Sequence, residues 1–347
     1  MYFKQFGAGV TKELQSRYEQ SVNWKDGKFQ NLEETDMSFS FRDMIDILYK
    51  QFTNRKEREP LVDLPIESFN KAHFLQEDNL AKIIWYGHSV LLFRINGKTI
   101  FIDPMLGPDA APIAPMTVKR FSANTLDLID DFPEIDLMLL SHDHYDHLDY
   151  QSILRLKSKT KKYYVALGVK RHLEKWGIDR DKIQEFDWWN NQVYADIEIT
   201  FTPSRHFSGR GISDRAKSLW GGWVFKTPTE NIWFSGDGGY GAHFKEIGDR
   251  LGPFDFGFME CGQYNEKWSL IHMFPHESVQ AALDARVKRA MPVHWGAFSL
   301  AQHPWKEPAN GFIDAALKQQ LQICLPKPGQ LFCIRDGFAD AWWEEIK

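Results

Sequence analysis

Residues 141–149 carry the most constraining feature of this 347-residue chain, a dense cluster of histidines and aspartates. The cluster contains four donor side chains in the spacing H-x-H-x-D-H: His142, His144, Asp146 and His147. The apolar run directly before it has a length that favours a buried strand over a helix. The cluster is therefore predicted where a strand ends and a loop begins, the usual ligand-binding position in open α/β sheets. Imidazole and carboxylate groups at these offsets suit zinc and neighbouring transition metals.

The extended motif from Ser141 to Asp149 resembles the signature of the metallo-β-lactamase superfamily of binuclear metal hydrolases. It is most similar to the branch that contains the N-acylphosphatidylethanolamine-hydrolysing phospholipase D enzymes and their bacterial relatives. The resemblance extends over residues 40–345 and implies an α/β fold, a four-layer αβ/βα sandwich with helices outside two mixed sheets. Strand counting by itself predicts only the α/β class.

Three later strand ends carry the other candidates that the resemblance indicates. His206 follows a strand predicted at 197–202, Asp237 follows one at 231–234, and His294 follows an apolar run ending at residue 293. The resemblance divides the metal ligands into two sets with Asp237 as the bridge: His142, His144 and His206 for one ion, and Asp146, His147 and His294 for the other. Two Zn²⁺ ions are the implied cofactors because imidazole suits zinc, with Mn²⁺ or Fe²⁺ as alternatives.

The implied chemistry is hydrolysis by a hydroxide held between the two ions, which would attack phosphorus or a carbonyl carbon. Asp146 and Asp237 would orient the hydroxide, and the resemblance implies that His272 contacts the substrate or donates a proton. His88 is a candidate for supporting the metal site or contacting substrate, and a core histidine is an equal alternative. His243 is a weaker candidate of the same kind, for which packing is favoured.

Two hydrolytic functions remain open because the ligand set activates water in either case. The favoured one is a phospholipase D-like phosphodiesterase that acts on a small-molecule or lipid phosphodiester. The alternative is a lactonase that acts on a sugar-phosphate-type lactone. The net charge of −5, without a basic stripe, argues against nucleic acid as a partner.

Cysteine usage and hydropathy predict a cytoplasmic protein. The three cysteines are widely spaced and form no disulfide framework, which favours buried thiols in a reducing compartment. There is no apolar run of 18 or more residues for a membrane span, and the first residues lack the apolar core of a signal peptide. A leader removed from this chain stays an open alternative, and the resemblance is compatible with peripheral membrane contact and with a homodimer.

The predicted domain organisation is an N-terminal extension (1–80) followed by the hydrolase domain (81–347). Ser40 begins a helical stripe of apolar residues: Phe41, Met44, Ile45, Leu48 and Phe52. Docking of this amphipathic helix on the core is favoured over a role as a lid or membrane contact. A hairpin is predicted at Asn96-Gly97 between two strands. Four further histidines are expected at the surface: His73, His172, His276 and His303.

Overall fold

The computed structural model describes residues 4–36, 57–78, 80–111, 117–211, 213–338 and 340–347. The amphipathic helix predicted over residues 40–52 lies outside these residues, so its docking stays a prediction. Within the described part of the chain, no helix is both long and apolar enough to cross a bilayer.

The N-terminal segment packs on the rest of the chain through aromatic side chains and backbone hydrogen bonds. Its regular elements are the helix Lys12–Tyr18 and a two-stranded ribbon, β1 (Trp24–Lys25) and β2 (Lys28–Phe29). Tyr18, Trp24 and Phe29 are buried, with ring centroids 4.9–5.7 Å apart. The Phe29 N–H donates to the Ala216 carbonyl at 2.9 Å, which joins the ribbon to the main body.

The first of two large sheets carries the histidine-rich motif. Its strands are β3 (Lys82–Trp85), β4 (Leu91–Ile95), β5 (Lys98–Ile102), β6 (Ile135–Leu140), β7 (Thr160–Ala166), β8 (Ile183–Phe186) and β16 (Leu331–Cys333). Their order is β16-β3-β4-β5-β6-β7-β8, antiparallel up to β5 and parallel from there. The predicted hairpin joins β4 and β5, with Asn96 and Gly97 at φ of 46° and 67°. β6 is buried along its whole length, as its apolar sequence predicts.

The second large sheet supplies the other three strand ends. Its strands are β9 (Asn191–Tyr194), β10 (Ile197–Thr202), β11 (Gly222–Lys226), β12 (Asn231–Phe234), β13 (Phe256–Glu260), β14 (Arg289–Val293) and β15 (Gln322–Ile323). They follow one another in the order β15-β14-β13-β12-β11-β10-β9, antiparallel from β9 to β12 and parallel from β12 to β15. β10, β12 and β14 therefore run in the same direction. Their carboxyl ends deliver His206, Asp237 and His294 to one edge.

An apolar core fills the space between the two sheets. Phe93 of β4 lies against Phe225 of β11 and Phe258 of β13, with ring centroids 5.5 and 5.4 Å away. Burying large aromatic side chains between two sheets contributes roughly 1.5–3 kcal/mol for each. The sheets are thereby held face to face.

Helices form the outer layers. The described α-helices after residue 36 are Lys71–Leu75, Leu128–Asp131, Tyr150–Leu156, Lys170–Lys175, His243–Leu251, Pro275–Asp284 and Glu307–Gln319. The last two pack on β14 of the second sheet and enclose a further apolar cluster that contains Trp233 and Phe244. The implied four-layer αβ/βα sandwich is confirmed by this arrangement.

Candidate metal centre

The loop after β6 is shaped by two carboxylates. Asp103, which follows β5 at a positive φ of 40°, accepts hydrogen bonds from the N–H and Oγ–H of Ser141 at 2.8 and 2.5 Å. Asp149 accepts from two N–H groups in the first turn of the helix Tyr150–Leu156 and so caps it. The loop is pinned at both ends, which fixes the directions of the donor side chains between them.

Three imidazole nitrogens converge on one side of this loop. His142 Nε2 lies 2.9 Å from His144 Nδ1, and His206 Nε2 lies 3.1 Å from that same atom. Tetrahedral zinc ligands at 2.0–2.1 Å would be about 3.3–3.4 Å apart, so small outward shifts would admit an ion. Burial lowers the pKa of His144 to about 4 and holds the pKa values of His142 and His206 well below the usual range. All three rings are therefore neutral, the form that binds metals.

The outer nitrogens of two of these rings have partners that fix the proton positions. Ser141 Oγ donates its hydrogen to Asp103, so it can only accept from His142 Nδ1, 2.9 Å away. The Ile271 carbonyl, which can only accept, lies 3.1 Å from His206 Nδ1. Both rings therefore carry hydrogen on Nδ1 and direct an Nε2 lone pair toward the shared point. Histidine ligands of metals are usually oriented in this way.

A second group of donors surrounds Asp146. Asp146 Oδ2 lies 2.8 Å from His88 Nε2, 3.3 Å from His294 Nε2 and 3.6 Å from His147 Nε2. His147 Nδ1 is hydrogen-bonded to Asp103 at 2.8 Å, so Nε2 is the ring nitrogen directed at this group. The candidate ligand atoms of these four clustered side chains all lie within 4.8 Å of one another. The structure thus brings together the predicted second set and adds His88 to it.

Asp237 lies between the two groups. Its Oδ2 is 2.9 Å from His294 Nε2, 3.0 Å from His147 Nε2 and 4.0 Å from His206 Nε2. Its Oδ1 is buried and has no hydrogen-bond partner among the described residues. A buried carboxylate oxygen without a partner is costly, and a bound cation would satisfy it.

The second group requires positive charge. Burial alone would lower the pKa of His147, but Asp237, Asp146 and Asp103 together raise it to about 10. The pKa of His294 is raised for the same reason, mainly by Asp237, against the effect of burial. Burial would raise the pKa values of Asp146 and Asp237, but the adjacent imidazoles hold both well below the usual range. Protons or a cation can supply the charge that these carboxylates need.

An open cleft of about 220 Å³ reaches both groups. One part of its wall is apolar and consists of Phe207, Trp268, Ile271 and Leu300. None of the described residues that line it is a lysine or an arginine. These walls therefore offer a substrate apolar contacts and imidazoles but no permanent cation.

His272 lines the cleft and is held by a buried carboxylate that the sequence analysis missed. His272 Nδ1 lies 3.0 Å from Glu260 Oε1, and Glu260 Oε2 accepts from the Met273 N–H at 2.9 Å. Glu260 Oε1 is also 3.4 Å from His294 Nδ1. Because Nδ1 of His272 is engaged, Nε2 is the nitrogen available to a substrate. Glu260 ends the apolar strand β13, and a single acid in that position carries no sequence signal for this contact.

The remaining candidates, His88 and His243, have different environments. His88 is fully buried, its ring centroid lies 4.1 Å from that of His294, and it does not line the cleft. It therefore supports Asp146 from behind. His243 begins the helix His243–Leu251 and packs on Phe244 at 4.1 Å. It belongs to no donor group in the described residues, in keeping with the packing alternative.

A buried network beneath the motif corrects one surface expectation. His172 is fully buried, with Nε2 3.2 Å from Asp143 and Nδ1 accepting from the Ala8 N–H at 3.1 Å. Ser218 Oγ and the Gly209 N–H also donate to Asp143, at 2.6 and 2.7 Å. Asp143 therefore faces the interior rather than the donor groups. The surface prediction for His172 was wrong because its partners lie far away in sequence, and a buried carboxylate must be hydrogen-bonded.

The other three histidines expected at the surface differ in exposure. His73 and His276 are exposed, as predicted. His303 is partly buried, and its Nε2 accepts from the Gln263 N–H at 2.9 Å. This bond ties His303 to a residue of the cleft wall, so the surface prediction fails there too.

Comparisons with known proteins show relatives over most of the chain. The family model described as a beta-lactamase superfamily domain matches residues 98–295, more than half of the chain. An uncharacterized protein of Mycobacterium tuberculosis strain H37Rv is 35% identical over 317 residues, 90% of this chain and 84% of the relative. N-acyl-phosphatidylethanolamine-hydrolyzing phospholipase D 1 of Caenorhabditis elegans is 30% identical over 249 residues, 68% of this chain and 69% of that enzyme.

A solved structure shares the fold. It is a metallo hydrolase from the hyperthermophilic archaeon Ignicoccus hospitalis, with a TM-score of 0.56 and 19% identity over 73% of this chain and 97% of that chain. Identity this low shows the fold alone. The family model and the sequence relatives supply the rest, and they agree with the resemblance of the motif. The chain belongs to the metallo-β-lactamase superfamily and is one of its metal-dependent hydrolases.

Proposed function

We propose that the chain is a binuclear zinc-dependent phosphodiesterase of the phospholipase D type. The observation that carries the proposal is the convergence of six predicted donors around a seventh, Asp237, whose Oδ1 has no partner in the described part of the chain. The relative from Caenorhabditis elegans, which is named as a phospholipase D, supports a phosphodiester as the substrate class.

The proposed ligands follow the two donor groups. His142, His144 and His206 would hold one ion, since their nitrogens already converge at 2.9–3.1 Å. Asp146, His147 and His294 would hold the other, with Asp237 shared between the ions. Zinc is favoured because the donors are mostly imidazoles, and Mn²⁺ or Fe²⁺ are the alternatives.

Bound ions would lower the pKa of a water held between them to about 7 and offset the charge that develops on the phosphate oxygens. Asp146 and Asp237 would accept hydrogen bonds from that water and direct it at phosphorus. In its doubly protonated form His272, whose Nδ1–H is held by Glu260 at 3.0 Å, would donate its Nε2 proton to the leaving alkoxide and keep the Nδ1 proton. Glu260 would keep the imidazole in this orientation throughout the reaction.

The charge of the cleft favours a diester over the alternative lactone. A phosphodiester carries one negative charge at the reacting centre, where the ions would lie. A sugar-phosphate lactone has an uncharged ester at the reacting centre and carries its phosphate elsewhere on the sugar, and the described cleft walls contain no lysine or arginine to bind that phosphate. The apolar wall that includes Phe207 and Trp268 suits an acyl or aryl group beside the phosphate.

The test is hydrolysis of bis(4-nitrophenyl) phosphate by zinc-loaded protein, run beside a simple lactone and a lipid phosphodiester. Asp237→Asn should lose activity together with bound metal. Asp130→Asn is the matched control, because Asp130 is exposed and its carboxylate pairs with Arg155 at 2.9 Å. Lactone turnover alone would assign the protein to the lactonases. Failure to hydrolyse any diester with two ions bound would contradict the proposal.

A further inference from the structure

The backbone of His206 pairs with a side chain from the N-terminal segment. The His206 N–H donates to Asn31 Oδ1 at 3.0 Å, and Asn31 Nδ2 donates to the His206 carbonyl at 2.8 Å. Trp220 Nε1 also donates to Asn31 Oδ1, at 3.0 Å, which fixes the orientation of the amide. His206 lies in an irregular loop after β10, so Asn31 takes the place that a neighbouring strand would occupy.

Residues 31–35, here called the N-terminal strap, bind two loops of the metal centre. The Glu34 carbonyl accepts from Arg205 Nη2 at 2.6 Å, next to the third histidine donor. Glu33 Oε1 accepts from the Ala242 N–H at 2.6 Å, in the loop that follows the bridging aspartate. The strap therefore connects the loops that follow β10 and β12.

The other histidine donors are supported from within the main body. The His294 N–H donates to the His88 carbonyl at 3.0 Å, and the motif loop is fixed by Asp103. The ring of His206 is oriented by the Ile271 carbonyl, but its backbone depends on Asn31. The position of one donor is thus set by a residue outside the segment that the family model matches, residues 98–295.

We propose that Asn31 is a positioning residue of the metal centre, which fixes the backbone of His206 and thereby sets the affinity of the three-histidine group for its ion. The inference rests on the proposed function in so far as this group binds an ion. Partners that orient metal ligands typically change metal affinity about 10–100-fold when they are removed. A shift of the His206 loop would open one corner of the group and leave the second ion in place.

The test uses two variants of Asn31 and one control in the full chain. Asn31→Ala removes both hydrogen bonds to His206. Asn31→Asp keeps the acceptor but places a carboxylate oxygen against the His206 carbonyl. Asn23→Ala is the matched control, because Asn23 lies in the same segment and its Nδ2 donates to Asp187 Oδ1 at 2.8 Å, away from the donor groups.

The measurement is titration of metal-free protein with Co²⁺, followed by its visible spectrum and by competition with a chelator. Unmodified protein and Asn23→Ala should each bind two ions, and the affinities of the two proteins should be the same. Asn31→Ala should bind one ion normally and the other at least about tenfold more weakly, with an altered absorption band, and Asn31→Asp should fall in between. The melting temperatures of metal-free Asn31→Ala and Asn23→Ala should fall to a similar extent, which separates positioning from general stability.

Two results would overturn the inference: Asn31→Ala binding both ions with the affinity of unmodified protein, or Asn23→Ala losing as much affinity as Asn31→Ala. If Asn31→Ala does not fold, Asn31→Asp decides by the same criteria. If unmodified protein binds no cobalt, the proposed function fails and this inference fails with it. If it binds two ions but hydrolyses no diester, only the proposed function fails, and the effect of Asn31 on metal affinity still stands.

Discussion

Replacing Asp103 with asparagine should weaken the metal centre from behind. Asp103 Oδ1 accepts from the Ser141 N–H at 2.8 Å, and Oδ2 accepts from Ser141 Oγ at 2.5 Å and from His147 Nδ1 at 2.8 Å. In the better amide orientation, the new NH₂ group faces the Ser141 N–H, so one charge-assisted hydrogen bond is lost and two become neutral. Losing one such bond costs about 1.5–3 kcal/mol and weakening the other two costs about 1 kcal/mol each, which gives about 3.5–5 kcal/mol.

The displaced Ser141 backbone would also shift the first donors of the motif. Zinc affinity should therefore fall about 10–100-fold, measured by competition with a chromogenic chelator, and the free energy of unfolding of the metal-free protein should fall in urea melts. Asp136→Asn is the matched control. Asp136 lies near the start of β6, and its carboxylate also accepts a backbone hydrogen bond, from the Thr99 N–H of β5 at 3.0 Å. Asp103→Asn with unchanged zinc affinity, or equal loss in Asp136→Asn, would refute this reasoning.

Leaving groups, metal removal and acid provide three more tests. Glu260→Gln should slow the hydrolysis of alkyl diesters more than that of 4-nitrophenyl diesters, because 4-nitrophenolate departs without a proton from His272. Equal slowing of both diesters would contradict the role of His272 and Glu260 in protonating the leaving group. A chelator should lower the melting temperature and zinc should restore it, because ligand at a thousandfold excess over Kd adds about 4 kcal/mol of stability; an unchanged melting temperature would count against a bound ion. Burial, assisted by Arg205, lowers the pKa of His243 to about 3. Below its ordinary pKa of about 6.5 the unfolded chain binds a proton there that the folded chain does not, so stability falls by about 1.4 kcal/mol per pH unit as pH drops toward 3. His243→Gln should reduce the slope in metal-free protein by about 1.4 kcal/mol per pH unit, and an unchanged slope would show that His243 does not contribute to it.

The strands that carry the site were predictable because their apolar patterns and turn residues indicate the same elements that the fold contains. The apolar run before Ser141 predicts the buried strand β6, and Asn96-Gly97 predicts the hairpin that precedes it. The seven donors follow strand ends, and the carboxyl ends of parallel strands meet at one edge. The sequence and the resemblance together therefore predict which residues the structure brings together, and His88, a candidate for supporting the site, lies beside Asp146.

What the sequence could not predict depends on contacts between distant residues. Glu260 and Asn31 have no local signal, because an acid at a strand end and an asparagine in a polar segment are ordinary features. Their roles arise from neighbours such as His272 and His206, which only the fold brings near. Short edge strands such as β15 (Gln322–Ile323) have too few residues to show a periodicity.

Anomalous diffraction at the zinc edge from crystals of zinc-loaded protein tests the central claim most directly. The account predicts two peaks. One should lie about 2.0–2.2 Å from His142 Nε2, His144 Nδ1 and His206 Nε2, and the other should lie at the same distance from donors of the second group, with Asp237 between them. A single peak, or no peak at saturating zinc, would contradict a binuclear centre.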